Sequence, residues 1–107
     1  MLNKWLKDNS KPLHRSDPFS MFRQAPRLEC IDGTSLSIQV SESHYCNPRK
    51  SDAFPYSSVE VGFPDIAPPD SWKPYCEEWD KPTDTVYGYV PIKLVEEFIN
   101  DHGGIKN

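Results

Sequence analysis

Leu28-Glu29-Cys30-Ile31-Asp32-Gly33-Thr34-Ser35-Leu36-Ser37-Ile38-Gln39-Val40 is the stretch that decides the fold. Asp32-Gly33 is the strongest turn signal in the chain, with candidate strands on both sides. After the turn, Leu36, Ile38 and Val40 share one face of an extended segment, and Ser35, Ser37 and Gln39 the other. Before it, Leu28 and Cys30 are the inward candidates. A two-residue loop at Asp32-Gly33 sets Cys30 against Ser35 and Leu28 against Ser37, apolar against polar on both faces. A three-residue loop, Ile31-Asp32-Gly33, pairs Cys30 with Thr34 and Leu28 with Leu36. It also puts Gly33 at the left-handed bulge position that such loops favour. The pattern therefore predicts a hairpin closed by three residues.

Towards the C-terminus, Ser41–Tyr56 reads as a connection and residues 57–63 as a third strand, with Val59, Val61 and Phe63 on one face. Residues 85–90 read as a fourth strand. The last element is the best determined. Pro91 suits a first helical position. At about 100° per residue, Ile92, Leu94, Val95, Phe98 and Ile99 fall within an arc of roughly 160°. Gly103-Gly104 supplies a left-handed stop, with His102 in the last turn and Ile105 placed to fold back on Ile99.

Towards the N-terminus, residues 1–26 read as a basic appendage. Leu2, Trp5 and Leu6 suit a helical turn, and Pro12, Pro18 and Pro26 stop anything long. The expectation is an α+β protein: a small four-stranded, mostly antiparallel sheet, one C-terminal amphipathic helix packed on it, and an extended N-terminal arm. The arm spans 1–26 and a single α+β domain spans 27–107.

The 107 residues, 36% of them hydrophobic, leave room for one modest core and exclude a Rossmann unit or a helix-ringed barrel. Eleven prolines against five glycines work against regular structure, while thirteen aromatic side chains (three Trp, five Tyr, five Phe) supply large burials. No apolar run reaches the roughly 18 residues of a membrane span. The first eleven residues lack the apolar core of a secretory signal. Three cysteines without a close-spaced pair argue against a disulfide scaffold and suit a reducing compartment. Charge is unevenly spread: residues 1–27 carry six Lys/Arg against Asp8 and Asp17, hence +4, so the other 80 carry −8 of the total −4.

Metal and catalytic readings are weaker than they first look. Cys30, His44, Cys46 and Cys76 are zinc-ligand types, but only His44 and Cys46 form a close pair, and Cys30 is needed in the core. Cys46 with His44 or His102 would be a nucleophile only beside a group that lowers its pKa; Arg49 and Lys50 are near in sequence, yet no nucleophile elbow or glycine-rich oxyanion loop accompanies them. No phosphate loop or dinucleotide fingerprint is present. The expectation is no catalytic residue, no metal and no cofactor. Lys4, Trp5, Lys7, Lys11, Arg15, Arg23 and Arg27, with Phe19 and Phe22, have the composition of a single-strand platform, but on an acidic body that repels a nucleic-acid backbone.

The proline-rich segment from Pro64 to Asp84 is different. It holds Asp65, Asp70, Glu77, Glu78, Asp80 and Asp84 against Lys73 and Lys81, together with Trp72, Tyr75 and Trp79. Aromatic anchors ringed by carboxylates suit a protein partner with a basic patch, burial coming from the rings and steering from the charge. The same aromatics would equally well fold back over the sheet. Trp72, Tyr75, Glu77, Glu78, Trp79 and Asp80 are the expected partner-binding residues.

Leu28-Glu29-Cys30, Asp32-Gly33, His44-Tyr45-Cys46, Pro48-Arg49, Val59-Glu60-Val61-Gly62-Phe63-Pro64, Val86-Tyr87-Gly88-Tyr89-Val90-Pro91 and His102-Gly103-Gly104-Ile105 together resemble a family of small phage and prophage accessory proteins. The resemblance covers about residues 28–105, and none of its motifs carries a known chemistry. It implies a non-enzymatic protein acting in the bacterial host cytoplasm. Such a protein would bind, and inhibit, a host defence or nucleic-acid-handling complex, as anti-CRISPR proteins do. A virion or assembly component whose arm reaches a neighbour, or a single-strand-binding protein, are the rival expectations.

Overall fold

The computed structural model describes residues 1–12 and 23–106. The elements run α1 (Leu2–Asn9), β1 (Lys11–Pro12), β2 (Arg23–Gln24), β3 (Leu28–Glu29), β4 (Ser35–Gln39), β5 (Ser58–Gly62), a 3-10 helix (Asp70–Tyr75), β6 (Val86–Pro91) and α2 (Ile92–Asp101). Strands β3-β4-β5-β6 form one antiparallel sheet in chain order, and β1 pairs with β2 apart from it. The fold is α+β, as the pattern predicts. No helix among the described residues is long and apolar enough to cross a membrane.

The hairpin has the expected three-residue loop. Leu28 pairs with Leu36 and Glu29 with Ser35. The Cys30 N–H donates to the Thr34 carbonyl at 2.7 Å, and the Gly33 N–H to the Cys30 carbonyl at 3.0 Å. Gly33 takes a φ of 94°, which glycine alone adopts without steric cost. Asp32 closes the turn by accepting the Thr34 N–H at 2.8 Å.

Leu28, Cys30, Leu36, Ile38, Val59, Val61, Tyr87 and Val90 are buried together with Val95, Phe98 and Ile99 of α2. The inward set of β6 is thus Tyr87 and Val90, which strict alternation would put on opposite faces. A bulge resolves this: Val59 pairs with Val90 and Val61 with Tyr87, so Gly88 and Tyr89 together oppose Glu60. Phe63, expected on the inner face with Val59 and Val61, is instead turned outward by a φ of 50° and stands exposed.

Helix α2 ends as its glycines predict. The Gly104 N–H donates to the Ile99 carbonyl and the Gly103 N–H to the Asn100 carbonyl, the two bonds of a Schellman cap. Pro91 sits one position earlier than expected, as the N-cap. Ile105 carries the chain onto the outer edge of β3, bridging Cys30, and the Lys106 N–H donates to the Glu29 carbonyl. On the other edge, Cys76 bridges Tyr87 and the Tyr89 N–H donates to the Tyr45 carbonyl. Both edges of the sheet are therefore partly covered, which blunts edge-to-edge association.

Over its described part the N-terminal arm carries the short helix that Leu2, Trp5 and Leu6 suit, and that helix is packed on the body. Residues 2–9 are a two-turn helix, and Leu2 and Leu6 are fully buried in the core. Their i, i+4 spacing puts them on one face. Polar contacts fix the helix in place: the Leu2 N–H donates to Glu96 of α2, and the Asn3 side chain exchanges two hydrogen bonds with the Tyr56 backbone. Ala25 is held the same way, by paired bonds to the buried amide of Gln39. Asp17-Pro18 and the expected arm contacts Arg15, Phe19 and Phe22 lie outside the described residues.

Candidate functional site

The proline-rich segment owes its shape to its own side chains. Asp70 to Tyr75 forms about two turns of 3-10 helix, and Trp72 points inward, 1% exposed. Its indole meets Tyr87 of β6 edge-on and Phe98 of α2 at a tilt, each at 5.5 Å between ring centroids. The expectation that Trp72 contacts a partner is thereby corrected: it is a core residue that pins the segment to both layers. Cys76 and Glu77 then join the edge of β6, the Glu77 N–H donating to the Val86 carbonyl. The Tyr87 hydroxyl donates to the Pro82 carbonyl at 2.6 Å and fastens the far end. Burial pushes the Tyr87 phenol well above its ordinary pKa, so it stays protonated and serves as a donor.

With Trp72 below, the remaining expected residues lie at the surface. Tyr75 and Trp79 are half-buried, leaning on the core's margin. The Lys73 ammonium lies 5.4 Å from the Trp79 ring centre and 3.9 Å from Asp70. Glu77, Glu78, Asp80 and Asp84 are exposed. None of these four enters an ion pair among the described residues. Turns through Glu78, Lys81 and Asp84 hold the acidic stretch in a fixed path. The structure thus places Tyr75, Glu77, Glu78, Trp79 and Asp80 together at the surface beside the edge of β6.

The cysteine and histidine readings resolve into structural roles. Cys30 and Cys46 are buried, and burial raises both thiols above their ordinary pKa, the opposite of what a nucleophile requires. The Cys46 thiol donates to the Ser41 and Pro48 carbonyls. Nδ1 of His44 lies 2.6 Å from the buried Ser41 hydroxyl, and desolvation lowers its pKa. Nδ1 of His102 lies 2.7 Å from Asp32 and 3.1 Å from Thr34, so the end of α2 is fastened to the hairpin loop. Among the described residues no three His, Cys, Asp or Glu side chains converge as a metal site would require. Among the described basic residues, Lys4 pairs with Asp8, Arg23 with Asp52, and Arg27 is tied to Ser35 and the Phe63 carbonyl.

The residue pattern missed two surface tyrosines. Tyr45 and Tyr89 are 42% and 48% exposed, with ring centroids 5.8 Å apart. Their one sequence signal is Gly88, since glycine inside a strand marks a bulge or a close approach. A Cβ at Gly88 would come within 3.3 Å of the Tyr45 Cβ.

No protein-family model, curated protein or solved structure matches the chain. Fold and surface define a small α+β domain with an acidic, aromatic face on one edge of its sheet.

Proposed function

We propose that the protein is a non-enzymatic phage accessory protein that binds, and inhibits, a protein complex with a basic surface. A nucleic-acid-handling or defence complex of a bacterial host, met in its cytoplasm, is the partner class. The observation that carries this reading is the exposed carboxylate set Glu77, Glu78, Asp80 and Asp84, none of it in an ion pair among the described residues, around half-buried Tyr75 and Trp79. Exposed carboxylates project a field that steers a cationic surface into contact. The half-exposed rings supply apolar area at the centre of that field. Trp72 and the bond from Tyr87 to Pro82 hold the face in shape, so docking orders little and costs little entropy. A surface that binds nucleic acid is basic by necessity, and an acidic face of this size competes for it. The host setting rests on the resemblance to phage proteins.

The test is capture of a basic protein from bacterial lysate by the wild-type chain and by a Glu77→Gln, Glu78→Gln, Asp80→Asn variant. Capture that weakens with added salt and falls at least about tenfold in the variant supports the reading. Equal capture by both forms overturns it.

A further inference from the structure

The sheet has a second face, and its two ends are built alike. Leu36, Ile38, Val59, Val61 and Tyr87 point to the side where α2, Leu2, Leu6 and Trp72 share one core. By alternation Ser35, Ser37, Glu60, Gly62, Val86 and Gly88 point to the other side. The middle of that outer face is low, with Ser37 and Val86 flanking Gly62 across three strands. At one end Tyr45 rolls onto the face, since a Cβ on Gly88 would come within 3.3 Å of its own. Tyr89 stands beside it, Glu60 accepts the Tyr45 N–H at 2.8 Å, and the Arg49 guanidinium lies 5.2 Å from the Tyr45 ring centre. At the other end Phe63 is exposed. There the Ser35 hydroxyl accepts from Arg27 Nε at 3.2 Å and donates to Asp65 at 3.3 Å, and the Arg27 guanidinium also donates to the Phe63 carbonyl.

Each end thus offers exposed aromatic surface, one cation and one carboxylate. None of Arg27, Arg49, Glu60 and Asp65 enters an ion pair among the described residues. The Phe63 N–H donates to the Thr85 carbonyl, and Tyr89 lies four residues further along β6. At about 3.3 Å per residue the ends are roughly 13 Å apart. A face whose ends match in this way is complementary to itself. Half a revolution about an axis through its middle sets Arg49 against Asp65 and Arg27 against Glu60, and lays the rings of one copy on the far end of the other. Sheets pack face to face in this manner. The two cations and two carboxylates cancel, so the face does not repel its own kind. Tyr45, Phe63 and Tyr89 are 42–48% exposed, which leaves roughly 90 Å² of each in water. Two copies would cover about 540 Å² of such surface. At the usual apolar share that implies an interface of about 950 Å², the size of a weak and reversible one.

We propose that this outer face docks a second copy of the chain, giving a two-fold symmetric dimer packed sheet to sheet. The acidic segment lies beside the edge of β6 and stays open on both copies. The dimer therefore presents two acidic segments, and a partner with two basic patches is held by both.

Sedimentation velocity of the full chain over a range of concentrations tests this. The wild type is expected to pass from monomer to dimer with a Kd of about 10–100 μM. Phe63 and Tyr89 have φ values of 50° and 56°, so Phe63→Gly and Tyr89→Gly remove a ring and suit the left-handed backbone, and thermal unfolding verifies that both fold. Each is expected to raise the Kd at least about tenfold. Arg49→Asp and Asp65→Arg should each do the same. An equimolar mixture of those two should recover the association as a heterodimer, because opposite charges then meet at both ends. The Glu77→Gln, Glu78→Gln, Asp80→Asn variant should dimerise as the wild type does. A wild type that stays monomeric up to about 500 μM overturns the proposal. So does a dimer that both glycine variants leave intact, or a mixture of the charge variants that stays monomeric. A dimer lost in the Glu77, Glu78 and Asp80 variant would put the self-contact on the acidic segment, and also overturns the outer face as the interface.

Discussion

At the level of single residues, two tryptophans seven positions apart in one segment have opposite work. Trp72 is wedged between Tyr87 and Phe98, whereas Trp79 is half-buried under Lys73. Trp72→Ala is expected to cost about 3–5 kcal/mol in denaturant unfolding, the usual penalty for an aromatic cavity. Trp79→Ala, with far less to vacate, should cost under about 1 kcal/mol and show its effect in partner binding. Comparable losses from both would mean that Trp79 is also a core residue. The two glycines after α2 differ in a similar way. Both have positive φ, 95° at Gly103 and 91° at Gly104. A Cβ on Gly103 would also meet the Ile31 Cβ at 3.1 Å, while one on Gly104 meets nothing within 4 Å. Gly104→Ala should therefore cost about 1 kcal/mol for its backbone alone. Gly103→Ala should cost measurably more, and equal midpoints would dismiss the Ile31 clash.

Elements were legible in proportion to how local their causes are. The hairpin register followed from parity around Gly33, and the end of α2 from Gly103-Gly104, because turn and cap chemistry act within a few residues. The inward turn of Trp72 was not legible, since the same aromatic–acidic composition suits a docking loop and a core lid. Gly88 inside a strand did signal a bulge or a close aromatic, but its register, with Gly88 and Tyr89 together opposite Glu60, follows from pairing across the sheet. Helix α1 is the clearest case. Basic composition and following prolines suggested an appendage, but the burial of Leu2 and Leu6 depends on α2 and the Ser41–Tyr56 connection being in place. Of the candidate site, the carboxylates and Trp79 were readable, and the Tyr45–Tyr89 pair was not. If α1 belongs to the core, Leu6→Ala should lower stability by about 2–5 kcal/mol, an amount a loose arm cannot lose. Urea unfolding of the full chain decides this, and a midpoint equal to wild type would return α1 to the status of an appendage.

Across the whole molecule, the shifted groups set the pH range in which the fold is stable. The burial of His44 lowers its pKa from 6.5, with Arg49 acting in the same direction and Glu60 against it. A depressed pKa means that the folded state prefers the neutral imidazole. Its contribution is whole above pH 6.5 and is lost as pH falls through the lowered value. Asp32, held low by the Thr34 N–H and by His102, gives a second loss only further down, below its ordinary 3.8. On the alkaline side the signs reverse. Burial raises Cys30 and Cys46 from 9.0, and Tyr56 and Tyr87 from 10.0, so their contributions are whole below those values and are lost as pH rises through the raised ones. The urea midpoint should therefore be flat from about pH 7 to 9 and begin to fall below about 6.5, well before the carboxylates protonate. His44→Gln removes the titrating ring and keeps a hydrogen-bonding side chain beside Ser41. In that variant the first decline should be smaller and the loss below pH 4 retained. A wild-type midpoint that stays level down to pH 5 would show that His44 is solvated in the folded protein, and that the Ser41–Cys46 turn does not close over it.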